Sequence, residues 1–404
     1  MFKFRWETGT STVSRVLLKE NCVSIQYGYT QSAAKEKVGP KFLRITDIQN
    51  RIVNWEQVPY CRINKEDSEK YKLEDGDIVI ARTGASTGTN AIYRKKMPEA
   101  VFASYLIRVK VNSKLVPLFV YYFLQSHEYS EYIESIAGGS AQPNANAQQL
   151  TDVLVPILPL PEQQVVACIL SSFDDLIAIK KQQNEILEKT AIAIFKSWFT
   201  DFEPFSDGEF VDSNLGKIPK KWGIGKLSNM CEIIMGQSPP SEYYNEEREG
   251  FPFIQGKGQF GRYAPNTNIY CSTTGKIAKP NDILLTVRAP IGELDIADAK
   301  YIIGRGLASL RSENWVFIYL YLLSNKELLK ASERGTTFDA ITKPELESFP
   351  IIISPQDVLE KFKALVEPLF RKIILNEKQI SLLTKVRDAL LPLLVFGKLR
   401  VEEI

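Results

Sequence analysis

One order of features runs through this chain twice, and that limits the folds open to it. Gly138-Gly139-Ser140 leads into a polar, Gln/Asn-rich loop, an apolar run over 153–160, Pro161-Glu162-Gln163-Gln164 and a long unbroken helical pattern to Phe199. The order returns from Gly335-Thr336-Thr337 through a loop, an apolar run over 349–353, Pro355-Gln356-Asp357 and a second helical pattern to about Phe396. The copies lie about 196 residues apart in a chain of 404. Two modules are expected, each a globular part followed by a helix.

The globular parts repeat as well. Cys22 to Gly28 aligns with Cys231 to Gly236, Phe42 with Phe253, and Asp77-Ile78-Val79-Ile80 with Asp282-Ile283-Leu284-Leu285. The strand signal at 77–81, behind the turn pair Asp75-Gly76, is the clearest in the chain. Further strands are predicted over 42–45 and 103–111, and a strand or short helix over 16–25. Residues 54–72 read as irregular. An aromatic-rich helix is predicted over 117–136, its rings packed in a core and its end at Gly138. A counterpart is predicted over 315–331. Arg82-Thr83-Gly84 corresponds roughly to Arg288-Ala289-Pro290, and 200–222 reads as an exposed linker. The fold class expected is α+β: two similar mixed α/β domains separated by two long helices in an antiparallel coiled coil. The predicted boundaries are 1–160, 161–200 (first helix), 201–222 (linker), 223–354 and 355–404 (second helix).

In the first helix Phe173, Ile177, Lys180, Asn184, Leu187, Ala191, Ile194 and Trp198 keep a strict 4,3 alternation. Leu369, Ile373, Asn376, Ile380, Leu383, Arg387, Leu390 and Leu394 keep it in the second. A 3.5-residue repeat is the seam of a coiled coil, in which single polar residues such as Asn184 set register at some cost in stability. A helix of about 37 residues spans roughly 55 Å. An antiparallel pair would hold the modules at the two ends of a rod. The competing expectation is that each helix packs only on its own module.

Several chemistries are excluded or weakly supported. Charge is balanced, 50 basic against 48 acidic residues, so the total does not announce a polyanion partner. Five scattered cysteines without a Cys-x-x-Cys suggest reduced thiols and a cytoplasmic protein, not a zinc site or disulfide framework. No signal-peptide core and no apolar run near the roughly 20 residues of a membrane span occurs. The one histidine, His127, reads as structural, so neither a Ser/His/Asp site nor a histidine metal site can be assembled. Gly256 to Gly261 matches a dinucleotide-binding pattern, but Arg262 to Asn266 reads as a loop where that pattern needs a helix. Ser238-Pro239-Pro240 is similar to the loop of amino-methyltransferases without its aromatic fourth residue.

Binding is better supported. Arg82, Thr83, Ser86, Thr87 and Lys95 cluster after the first strong strand, and Gln142 and Asn144 follow the Gly138 loop. Gln237, Ser238, Lys257, Gln259, Arg262, Tyr263, Arg288, Thr336 and Thr337 occupy comparable places in the second copy. Arg, Asn and Gln make paired hydrogen bonds to base edges, while Lys, Ser and Thr hold phosphates. Equivalent polar loops on two copies suit a reader of two DNA half-sites.

Three further motifs complete a pattern: Pro159-Leu160-Pro161-Glu162-Gln163-Gln164 opening a long helix, Ser197-Trp198-Phe199-Thr200-Asp201-Phe202 closing it, and Leu215-Gly216-Lys217-Ile218-Pro219-Lys220-Lys221-Trp222 opening the second half. With Gly236-Gln237-Ser238-Pro239-Pro240, Asn281-Asp282-Ile283-Leu284, Arg288-Ala289-Pro290-Ile291-Gly292 and Gly335-Thr336-Thr337, the whole chain resembles the specificity subunit of Type I restriction-modification systems. The N-terminus lacks a copy of the Ile218-Pro219 to Trp222 motif, and Ser354-Pro355-Gln356-Asp357 is a degenerate match to the first proline motif. The resemblance implies a non-catalytic subunit with two target-recognition domains for a bipartite double-stranded DNA sequence. It implies helices that dock two modification (methyltransferase) subunits, with restriction (helicase-nuclease) subunits added. S-adenosylmethionine, ATP and Mg would belong to those partners. The alternatives are a two-domain DNA-binding regulator and a stand-alone DNA methyltransferase.

Overall fold

The computed structural model describes residues 2–6, 13–49, 52–137, 144–331 and 340–403. Two compact units emerge, residues 1–176 with 383–404, and residues 177–382.

In the first unit an antiparallel sheet runs in the order Asn90–Ile92, Ile78–Ala81, Leu106–Val111, Cys22–Tyr27. The second strand is wholly apolar because both of its faces are covered. Ile78 and Ile80 join Phe119, Tyr122, Phe123 and Tyr129 on the helical side, while Val79 and Ala81 meet Leu43, Phe102 and Leu106 on the other. A second sheet carries the parallel pair Lys41–Leu43 and Ala100–Phe102.

The second unit repeats this order with Leu294–Ile296, Ile283–Thr286, Leu307–Arg311 and Glu232–Met235. Its parallel pair is Phe251–Ile254 with Tyr301–Ile303. The two units share one backbone constraint. A Cβ on Gly28 would lie 2.2 Å from the Ala103 carbonyl oxygen, and one on Gly236 2.2 Å from that of Gly304. Only glycine lets the strand cross so close to that backbone.

The long helices are Leu160–Phe199 and Gln356–Val395. In the second unit Asn184 and Asn376, both fully buried, join through Asn376 Nδ2 to Asn184 Oδ1 at 2.8 Å, and Asn184 Nδ2 donates to Glu377 Oε1 at 2.7 Å. Lys180 reaches Gln379 one turn away. In the first unit Arg387 bonds Asp174 and Arg400 bonds Glu162. Rising numbers on the first helix meet falling numbers on the second helix and, at Arg400, on the strand that follows it, so the chain runs antiparallel to the first helix in each unit.

The structure corrects several expectations. The strict 4,3 seam holds at Ile177, Asn184, Ala191, Ile373, Asn376, Ile380 and Leu394, which are buried. Phe173, Leu187, Ile194, Trp198, Leu369, Leu383 and Leu390 are only half-buried. The buried positions are instead Phe195 and Phe199, and Phe362, Val366 and Phe370. There the spacing lengthens to four because the stripe turns onto the module's own helix, Trp315–Ser324, through Phe317. The antiparallel pairing therefore holds, and the expectation that each helix packs only on its own module does not, since Phe195 and Phe199 at the end of the first helix pack on the second module's Phe317. The second helix ends at Val395, and Leu399–Glu403 forms a strand against Phe2–Trp6. The linker over 200–222 contains the hairpin Phe210–Ser213 and Gly216–Pro219, and Phe202, Ile218 and Trp222 are buried. Residues 54–72 contain the strand Tyr60–Cys61 and the helix Lys65–Tyr71, which Asn64 caps. The predicted strand over 103–111 begins only at Leu106, as Leu106–Val111, and a separate strand, Ala100–Phe102, precedes it. The predicted helix over 117–136 breaks into Pro117–Phe123 and His127–Ala137, because Ser126 Oγ accepts the Tyr129 N–H and starts a new helix. His127 is exposed at that start, 3.4 Å from Glu131. The glycine stop at Gly138 lies outside the described residues.

Candidate nucleic-acid interface

In the first unit the backbone turns outward at the end of Ile78–Ala81. Arg82 N–H donates to the Tyr105 carbonyl at 3.0 Å, and the Arg82 carbonyl accepts from Ala145 N–H at 2.9 Å. Thr83 bridges Asn144. The Arg82 guanidinium lies 5.1 Å from the centre of the Tyr27 ring, and Tyr27 Oη accepts from Ala147 N–H. Tyr27 and Tyr105 are 43% and 60% exposed. The result is a rim of Tyr27, Arg82, Thr83, Tyr105 and Asn144. Such a rim offers ring faces for stacking and donors for base edges or phosphates.

The second unit builds the same rim from other residues. Val287 N–H donates to Gly306 O at 2.9 Å, Ile341 N–H donates to Val287 O at 2.8 Å, and Arg288 bridges Ala340. The ladder therefore equates Thr83 with Arg288 and Tyr105 with Gly306, one residue away from the rough sequence alignment. An open cleft of about 400 Å³ results, with Ser238, Gln255, Lys257, Arg288 and Arg305 around it. Among the described residues no group of His, Cys, Asp and Glu could hold a metal ion, and no helix is long and apolar enough to cross a membrane.

A family model, the Type I restriction modification DNA specificity domain, matches residues 22–189 and 219–385. These matches cover both rims and most of both helices. The chain belongs to the specificity subunits of Type I restriction-modification systems. It is 34% identical over 397 residues to a provisionally named MjaX specificity subunit of a type I restriction enzyme from Methanocaldococcus jannaschii, covering 95% of this chain and 93% of that one. The MjaIX specificity subunit of the same organism is 37% identical over 310 residues, 72% of this chain and 71% of its own. The fold is also that of a crystallised Type I S subunit from M. genitalium, with a TM-score of 0.67, 17% identity and coverage of 96% and 98%.

In this specificity subunit some of the polar residues singled out by sequence have other tasks. Lys95 sits beyond Asn90–Ile92, which is antiparallel to Ile78–Ala81, so it lies at the opposite end of the sheet from Arg82. Its N–H donates to Asp75, and its neighbours Arg94 and Lys96 pair with Asp175 on the first long helix. Gln259 is consumed by the Gln255 N–H, the Phe253 carbonyl and Thr267. Arg262 pairs with Glu188 at 2.8 Å and Glu185 at 3.8 Å, which ties the module to the first helix. Tyr263 is buried against Tyr319 and Phe370. The Thr87 hydroxyl donates to Gly84 O, closing the Gly84–Ser86 turn that carries Ser86. Gln237 is exposed beside the rim, and the Ser238 hydroxyl accepts the Arg305 N–H at 3.2 Å. Gln142, Thr336 and Thr337 lie outside the described residues. The sequence reading missed Tyr27, Tyr105 and Arg305. Tyr105 and Arg305 each stand immediately or almost immediately before a strand that aligns between the modules, which was the available signal.

Behind the second rim, Asp295 accepts the N–H groups of Gly261 and Ile296 at 2.9 and 2.8 Å. Burial pushes its carboxyl up to about 6. A folded value above the unfolded one means that ionising Asp295 opposes folding. Its favourable contribution is complete below the unfolded value near 4 and is lost as pH rises through 6. Asp295→Asn should therefore gain stability relative to wild type between pH 4 and 7, on the order of 2 kcal/mol. Paired thermal melts across that range check this, and a difference that stays flat with pH contradicts it.

Proposed function

We propose that this specificity subunit reads a bipartite DNA sequence, one half-site per unit, and docks the modification and restriction subunits along its helices. The observation that carries the reading is the repeated rim: one hydrogen-bond ladder, in two copies, presents Tyr27, Arg82 and Tyr105 in one unit and Arg288 and Arg305 in the other. A duplicated scaffold with exchanged tips suits two half-sites of different sequence. Docking is supported in the second unit by Ile179 and Ile186 on one helix and Leu375 and Leu382 on the other, exposed by 47–63%. In the antiparallel register they share one face of the pair, beside the buried seam, where a further helix could cover them. The chain is read as non-catalytic and cytoplasmic. Methyl transfer from S-adenosylmethionine, and ATP- and Mg-dependent cleavage, would lie with the partners.

Methylation-sensitive sequencing of a host with and without this chain tests the reading. One bipartite methylation motif should vanish with the chain, and Arg82→Ala should relax only one half of it. A methylome unchanged by the deletion, in a host whose modification subunits are active, refutes it. Equal relaxation of both halves by Arg82→Ala refutes the assignment of one half-site to each unit.

A further inference from the structure

The second rim differs from the first in one position that decides its chemistry. Where the first presents the exposed ring of Tyr105, the second has Gly306, and a Cβ there would meet the Gln255 carbonyl oxygen at 2.4 Å. Gln255 thus keeps side chains out of the position, and the space a ring would fill is the open cleft. Arg288 replaces Thr83 and Arg305 replaces Ser104 on the same ladder. Both arginines are exposed, and neither guanidinium has a carboxylate partner among the described residues. Lys257, also on the cleft, is partly neutralised by Glu293 at 3.3 Å. Arg305 is held at its backbone by the Ser238 hydroxyl, so its side chain starts from a fixed point.

Two uncommitted planar forks beside one cleft have a specific use. A guanidinium donates two parallel hydrogen bonds to O6 and N7 of guanine, and this is the commonest base-specific contact in the major groove. We infer that Arg288 and Arg305 are specificity-determining residues and that the half-site read by the second unit contains guanine opposite each of them. This rests on the DNA-recognition reading above. Among the described residues the first rim, with Thr83 and two exposed tyrosines, has no matching pair of forks.

The full-length chain, alone and with modification subunits, is used to select its target from a randomised duplex library. Arg288→Ala, Arg288→Lys, Arg305→Ala and Arg305→Lys are then titrated against the selected target and against targets changed at single guanines. Each alanine variant should bind the target about 5- to 150-fold more weakly and lose its preference at one guanine of one half-site only. The lysine variants should fail to restore that preference, because lysine keeps the charge and lacks the fork. Binding to unrelated duplex should change little. Wild-type behaviour in the lysine variants, or an equal loss on every sequence with a shallower salt dependence, would mark phosphate contacts and overturn the inference. A selected target without guanine in either half-site also overturns it while leaving recognition intact. If the wild-type chain selects no sequence at all, the recognition reading itself fails.

Discussion

Phe362→Ala should remove about 3–5 kcal/mol from the folding free energy of the second unit. Phe362 is fully buried on the second long helix, with ring centres at 4.9 Å from Phe199, 5.9 Å from Trp198 and 6.1 Å from Phe195. It fills the space where that helix, the first helix and the module's helix at Phe317 converge, so alanine leaves a cavity that three rigid elements cannot close. Trp198, Trp222 and Trp315 lie in this unit and report its unfolding by fluorescence in a denaturant titration. Phe362→Leu, which keeps most of the volume, should cost less than half as much. An alanine variant that unfolds within about 1 kcal/mol of wild type contradicts this convergence as the centre of the unit.

Asp282→Ala should be comparably damaging, about 3–5 kcal/mol, for an electrostatic reason. Asp282 is 2% exposed and accepts from Lys279 N–H at 2.9 Å, Ser309 Oγ at 2.7 Å, Arg311 Nη2 at 2.9 Å and Arg311 Nε at 3.1 Å. Removing the carboxylate strands these donors and leaves a half-buried guanidinium without its main partner. Asp77 holds the same place in the first unit, with Glu74 N–H at 2.9 Å and Arg108 at 3.4 Å. Asp77→Ala should therefore destabilise the first unit and leave the tryptophan transition of the second largely in place. The measurement is the denaturant midpoint of each unit in both variants. A shift of both midpoints by either substitution would show that the units do not unfold separately.

The recurrence of Asp77 and Asp282 illustrates what was legible. Each precedes an unbroken apolar strand, and an acidic turn followed by a buried strand leaves a mark in sequence that survives duplication. The strand at 78–81, the pairing of Gly28 with Gly236, and the long helices were all visible for such local reasons. The break at Ser126, and the one at Asn325 that splits the helix predicted over 315–331 into Trp315–Ser324 and Lys326–Ala331, were not, since an apolar period of 3–4 continues across both and only side-chain caps mark them: Ser126 at a helix start, and Asn325 Nδ2 donating to the Tyr321 carbonyl at a helix end. The hydrophobic side of the linker was hidden because Phe202, Ile218 and Trp222 are too widely spaced to show a period.

The candidate rim divides in the same way. Arg82, Thr83 and Arg288 follow a strand and could be found from it. Tyr105 and Arg305 meet them only because an antiparallel neighbour returns to the same edge. Arg262 and Gln259 looked equally suited to a base, yet Glu188 takes one and the Gln255–Thr267 loop takes the other.

Sequence alone determined that there are two copies of one module, that each ends in a long helix with a 3.5-residue seam, and that the chain belongs with the Type I specificity subunits. These depend on order and local periodicity, which the chain carries in itself. Tertiary structure decided where the seam leaves its partner helix for the module at Phe195 and Phe362, and which polar side chains remain uncommitted at the rims. Those outcomes depend on which acid, carbonyl or ring a side chain meets, and residues far apart along the chain meet only after it has folded.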